Sequence, residues 1–187
     1  AIGFMMAYAS MGYVDAVKDL AASAGMTVPE APRSPQDIQR RERETDLYGV
    51  MEKAMEFFRA RLKESPKAVA YLKGRGLTGE IAARFRIGYA PDDWQGLKTV
   101  FAEYQDKSLA EAGLVIDNDE GRRYDRFRDR VMFPIFSQRG SVIGFGGRVL
   151  GEGDPKYLNS PETALFEKGR ELYGLTQARD AIRAAGR

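Results

Sequence analysis

Apolar residues recur with helical spacing over residues 46–62. Leu47, Val50, Met51, Ala54, Phe57, Phe58 and Leu62 fall on one stripe, which predicts an amphipathic helix with a core-facing side. A weaker stripe, Val14, Val17, Leu20, Ala21 and Ala24, predicts a helix over residues 10–25, ended by Gly25. Ser65-Pro66 places a cap residue before a proline at the first helical position, so a helix runs from there to Gly74-Arg-Gly76. Thr78 caps a short helix containing Ile81, Ala82 and Phe85. Further helices are expected over residues 95–104, 108–112 and 177–185.

The pattern changes beyond residue 113. Residues 114–116 read as a strand and residues 117–121 as a hairpin turn. Two longer β-type runs, residues 131–136 and 142–150, flank four turn residues, 137–140, and read as a second hairpin. The later run carries Gly144, Gly146 and Gly147, which suggests a bulge or the close approach of another backbone or a ligand. Residues 87–91 form a brief extended segment. Asp92 and Asp93 in the turn that follows are N-caps more than a metal pair. Residues 27–43 hold Pro29, Pro32 and Pro35 and then a charged run of alternating sign. They are expected to be an extended linker running into a solvated helix start.

Charge sharpens this picture. The net charge is +2, yet residues 121–187 carry 11 Arg and 2 Lys against 8 acidic side chains. The remaining 120 residues carry 16 basic and 19 acidic ones. Such asymmetry points to a localised anionic partner, or to ordinary surface scatter. Residues 122–130 pack five arginines with two aromatics. Alternation along a strand would put Arg122, Tyr124, Arg126, Arg128 and Arg130 on one face, suited to phosphates and bases. Arg148, Lys156 and Lys168 come just beyond the three glycines and would line the strand's edge, as cations suited to a phosphate backbone. Arg75, between two glycines, either reaches an anion or satisfies carbonyls at its helix end; on the residues alone the second is favoured.

Composition then excludes several chemistries. With no Cys and no His, the chain offers no Cys/His metal site, disulfide, thiol nucleophile or histidine base. No stretch is long and apolar enough for a membrane span, and the N-terminus is a poor signal peptide. These features lean towards the cytoplasm, and the missing initiator methionine is expected of a piece of a longer protein. Residues 144–147 lack the Lys-Ser/Thr and strand-loop-helix setting of a nucleotide-binding glycine loop.

Residues 126–135, 140–150, 155–163 and 166–175 together closely resemble bacterial DnaG-type DNA primases, as do residues 71–77 and 84–91. The resemblance implies an α+β fold: an N-terminal helical segment, then mixed helices with a small, mainly antiparallel twisted sheet. It implies that residues 1–29 are the last helices of a zinc-binding domain without its ligands, residues 30–45 a linker, and residues 46–187 the N-terminal subdomain of the RNA polymerase core. The parent would be a DNA-directed RNA polymerase making short RNA primers on single-stranded DNA. It would use Zn2+ and Mg2+ or Mn2+ held elsewhere, in the zinc domain and a TOPRIM subdomain beyond Arg187. This chain alone would bind no metal and be inactive. Motif matching assigns the single-stranded template to Arg75, Arg126, Arg128, Arg148, Lys156 and Lys168, and the nucleotide to Lys156, Tyr157, Asn159 and Lys168. Ribonucleotides and a replicative helicase would be further partners, with no membrane. The alternatives are a strand-binding or docking module of a phage or plasmid helicase-primase, and an α/β interaction domain whose arginines pair internally.

Overall fold

The structure is a computed structural model that describes residues 2–8, 13–26 and 35–185. Residues Ala1–Arg40 and Arg41–Arg187 make two compact units. In the first, helices α1 (Ile2–Tyr8) and α2 (Tyr13–Ser23) pack on each other, and Ala16 is fully buried. Helix α3 spans Pro35–Lys63. Proline is tolerated at the start of a helix because its missing N–H would find no partner there anyway. The helix expected to start in the charged run after the prolines thus begins earlier, at Pro35, so residues 35–39 are helical and not extended linker; Pro29 and Pro32 lie outside the described residues.

The second unit is built on the apolar stripe of α3. Leu47, Met51, Ala54, Phe57, Phe58 and Leu62 are all buried, as the periodicity predicts, and Met55 joins them. Helix α4 (Pro66–Gly74) starts at Ser65, whose hydroxyl accepts from Ala68 N at 3.2 Å. Helix α5 (Gly79–Arg84) starts at Thr78, which accepts from Ile81 N in the same way. Helix α6 spans Lys107–Glu111 and α7 spans Leu175–Ala184.

Strands β1 (Gly88–Ala90), β4 (Arg130–Phe136), β5 (Val142–Val149) and β6 (Tyr157–Asn159) form one antiparallel sheet in the order β1-β4-β5-β6. Strands β2 (Val115–Asp117) and β3 (Arg123–Asp125) form a separate antiparallel hairpin. Both hairpins read from the sequence are present, and the element set is the expected α+β mixture. Alternation along β4 divides the core in two. Met132 joins Phe145, Phe58 and Phe127 in the larger cluster, where Phe58 and Phe145 meet edge-on with centroids 5.4 Å apart. Val131 points to the smaller cluster with Leu62, Leu72, Ile87 and Tyr89.

One expected helix does not form. Leu97, Phe101 and Tyr104 have helical spacing and all three are buried, but only a short 3-10 turn, Gly96–Thr99, exists. Asp125 anchors the segment. Its carboxylate accepts from Leu97 N at 2.9 Å and from Tyr104 Oη at 2.6 Å, so a long-range partner fixes both ends of the segment. Asp93 accepts from Gln95 N at 2.9 Å, a capping role like the one expected for it.

Candidate nucleic-acid interface

The register of the sheet determines what shares its second face. Phe133 pairs with Gly146 and Gly146 with Asn159; Val131 pairs with Arg148 and Arg148 with Tyr157; Ile135 pairs with Gly144. Directly paired residues point the same way, so Gly144 and Gly146 form a floor flanked by Phe133, Ile135, Arg148, Tyr157 and Asn159. A cavity of about 350 Å³ opens over Gly146 and the Gly147 backbone, whereas Gly144 is covered by Phe166. Lys168, Glu171, Tyr173 and Phe166 close it from the loop that follows β6.

The glycines are explained by what lies over them. A Cβ on Gly146 would come within 3.2 Å of Asn159 Oδ1, and one on Gly144 within 3.1 Å of the Phe166 ring. Gly147 belongs to the opposite face, where Arg130 and Phe127 approach its Cβ position to 3.1 Å. The expected irregularity is real but lies beside the glycines. The β4–β5 pairing shifts between Ile135 and Phe136 and leaves Ile143 without a direct partner.

Arg148 is held by aromatic faces. Its guanidinium lies 4.9 Å from the Tyr71 ring centroid and 5.8 Å from that of Tyr157, and Nη1 donates to Val149 O at 2.7 Å. Stacking fixes the plane of a guanidinium and leaves its remaining N–H donors for an anion. Lys156 is exposed one residue before Tyr157. Lys168 is also exposed, and its backbone N–H is tied to the Glu162 carboxylate at 3.3 Å. Arg75 is exposed at the end of α4, where its backbone N–H donates to Tyr71 O and Leu72 O. The backbone thus caps the helix, and no hydrogen bond from the Arg75 side chain to the helix carbonyls is among those of the described residues. Tyr157, Asn159 and Lys168 therefore meet in the cavity. Arg75, Lys156 and Arg148 lie outside its lining.

Residues 122–130 do not form the continuous strand that alternation suggested. β3 ends at Asp125 and β4 begins at Arg130, and the stretch between them is irregular. Asp129 takes a positive φ of 46° there, which breaks the alternation. The arginines consequently take separate roles. Arg123 is buried and donates to Asp117 (2.7 and 2.8 Å) and to the carbonyls of Tyr104 and Asp106, so it is structural. Arg130 is buried with Nη1 lacking a partner, and Arg126 is half-buried with Nε lacking one. Burial lowers the pKa of both.

Arg128 differs. Its guanidinium lies 4.2 Å from the Trp94 ring centroid and 5.1 Å from that of Tyr124, with Nη1 donating to Asp125 O. Trp94 is 61% exposed and meets Tyr124 edge-on at 5.3 Å. Asp125 N–H donates to Trp94 O at 2.8 Å, which fixes this platform from behind. Sequence reasoning missed Trp94, read only as part of a turn, and also Tyr71, Glu171 and Tyr173. An aromatic beside Asp-Asp was the available signal, but its partner Arg128 lies 34 residues away and only folding joins them.

Two carboxyls near this region are displaced in opposite directions. Burial pushes Asp125 up to about 6, against the hydrogen bonds from Tyr104 and Leu97 N. Burial also acts upwards on Asp129, but the Lys67 ammonium (2.7 Å) and Tyr89 Oη (2.7 Å) outweigh it and hold that carboxyl below its usual range. Burial raises the Glu171 carboxyl in the cavity wall. No three acidic, Cys or His side chains gather to hold a metal among the described residues, and Cys and His are absent from the chain. Among the described residues no donor set of the kind that holds structural zinc or a catalytic divalent cation is assembled.

Residues 57–179 match the family described as the DNA primase catalytic core, N-terminal domain. The chain is 51% identical over 185 residues to a DNA primase of Pseudomonas putida, covering 96% of this chain and 28% of that protein. The chain thus spans under a third of the length of the relatives it matches. A solved structure described as the DnaG primase catalytic domain bound to ssDNA superposes with a TM-score of 0.70 at 49% identity, over 75% of this chain and 47% of that one. The Aquifex aeolicus primase, solved with its zinc-binding and RNA polymerase domains, gives a TM-score of 0.71 at 33% identity over 100% of this chain and 44% of its own.

Proposed function

The chain belongs to the family of the DNA primase catalytic core, N-terminal domain, and from that premise we propose that it forms the template- and nucleotide-holding wall of a bacterial primase. The observation that carries this reading is the glycine floor, where Tyr157, Asn159 and Lys168 line one cavity and Arg148 lies stacked beside it. Glycines permit close approach, rings offer stacking faces, and cations meet phosphates without reading sequence. The binding of single-stranded DNA by a relative that superposes on this fold supports the same role.

In this reading Arg148, Lys156 and Arg75 contact template phosphates, and Lys168 bridges template and nucleotide. Tyr157 and Asn159 seat the nucleotide. Arg128, with Trp94 and Tyr124, stacks a template base. Arg126 contributes charge from its half-buried position. The whole protein synthesises RNA primers in the cytoplasm, with ribonucleotides as substrates and a replicative helicase as partner through a further domain. Residues 1–29 end a zinc-binding domain in this view. Divalent metal would promote phosphoryl transfer, and its ligands lie outside these residues. What this wall does is bind and orient.

The test is titration of labelled oligo-dT at several salt concentrations. Binding is expected to weaken with salt, and Arg148→Ala and Lys156→Ala each to flatten the logarithmic slope by about one phosphate contact, roughly 0.7. Undetectable binding at low salt, or unchanged slopes, refutes the reading.

A further inference from the structure

A second concavity lies where the last turns of α3, helix α4 and helix α5 converge. Its volume is about 280 Å³. Leu62, Leu72 and Ile87 are buried at its base, and Val69, Leu77 and Ala82 are partly buried around them. Its edges are cationic, formed by Arg59, Lys63 and Lys73. Arg59 pairs with Glu56 at 2.6 Å, but Lys63 and Lys73 are exposed and make no ion pair among the described residues. Gly79 leaves one side open, since a Cβ there would meet nothing within 4 Å.

We propose that this groove docks an acidic amphipathic helix of a partner protein, with its apolar stripe on the Leu62–Leu72–Ile87 floor and its carboxylates against Lys63 and Lys73. Charge complementarity selects the occupant, because two lysines without counter-ions flank an aliphatic floor. In the helix-in-groove mode an amphipathic helix lays its apolar stripe into a hydrophobic trough, and the cationic margins here suit acidic positions beside that stripe. A nucleic-acid strand fits poorly. No aromatic side chain lines the groove to stack a base, whereas the Arg148 and Arg128 sites are built on aromatic rings.

The probe is a short fluorescein-labelled helical peptide with leucines at i, i+3 and i+7 and glutamates alongside, titrated against the whole chain by anisotropy. Saturable binding is expected. It should weaken by about fivefold or more in the Lys63→Glu/Lys73→Glu variant, and likewise when glutamine replaces the peptide's glutamates. Gly79→Phe should abolish it by filling the open side. The lysine variants alter exposed side chains only, so they keep the test valid if Gly79→Phe fails to fold. The absence of saturable binding, or unchanged affinity in the lysine variants, overturns the proposal. A parallel loss of oligo-dT binding in Lys63→Glu/Lys73→Glu would place these lysines on the strand path and also overturn it.

Discussion

Replacing Asp125 with asparagine isolates the effect of one buried charge. The side chain is 3% exposed, and its carboxyl rises from 3.8 to about 6 because burial outweighs the hydrogen bonds it accepts. A raised carboxyl binds its proton more tightly in the folded state than in the unfolded one. The stability it contributes is fully present below pH 4 and is lost as pH rises through 6. The whole displacement corresponds to about 3 kcal/mol. Between pH 4.5 and 7.5 roughly 2 kcal/mol of that is lost, because the unfolded carboxyl is already mostly ionised at the lower pH. Asparagine keeps the heavy-atom geometry: its oxygen accepts from Leu97 N, while its amide donates to Tyr104 Oη, which reverses that bond and leaves the Tyr104 O–H proton without its acceptor, a cost that is the same at both pH values and drops out of the comparison. Urea unfolding of both proteins at the two pH values measures the difference. The variant should gain about 2 kcal/mol relative to the parent on going from pH 4.5 to 7.5. Parallel pH curves would refute the buried-charge argument. A relative gain by the parent would mean that the carboxylate is stabilised as an ion.

Asp129 should behave in the opposite sense. Lys67 and Tyr89 hold its carboxyl low, so its stabilisation is present above the unfolded value and is lost as pH falls; in urea melts Asp129→Asn should cost stability at pH 7 and progressively less below pH 4. Trp94→Ala should weaken oligo-dT binding by about 1–3 kcal/mol while leaving the melting temperature little changed, and unaltered affinity would remove the platform from the strand path. Phe145→Ala empties the centre of the larger core cluster and should cost about 3–5 kcal/mol in denaturant unfolding.

Much of the framework was legible because it rests on local signals. The α3 stripe, the caps at Ser65 and Thr78, and both hairpins follow from periodicity and turn chemistry, and the structure has them all. The limits came where distant groups meet. Leu97, Phe101 and Tyr104 have helical spacing and are buried, yet the segment holds a single 3-10 turn and is anchored by Asp125 through the Leu97 amide and the Tyr104 hydroxyl. Residues 122–130 alternate on paper, but the chain turns at Asp129 and scatters five arginines into buried, paired and stacked positions.

The hairpin glycines show the same division. Sequence alone pointed, at a strand with Gly144, Gly146 and Gly147, to a bulge or to the close approach of another backbone or a ligand, because glycine weakens a strand and leaves room beside it. Only the tertiary structure decided what meets each one. Phe166 covers Gly144, Arg130 and Phe127 press on Gly147 from the core side, and Gly146 remains with Asn159 beneath the cavity. The reason is that strand alternation follows from local backbone geometry, whereas the occupant of each face comes from residues brought in by long-range packing.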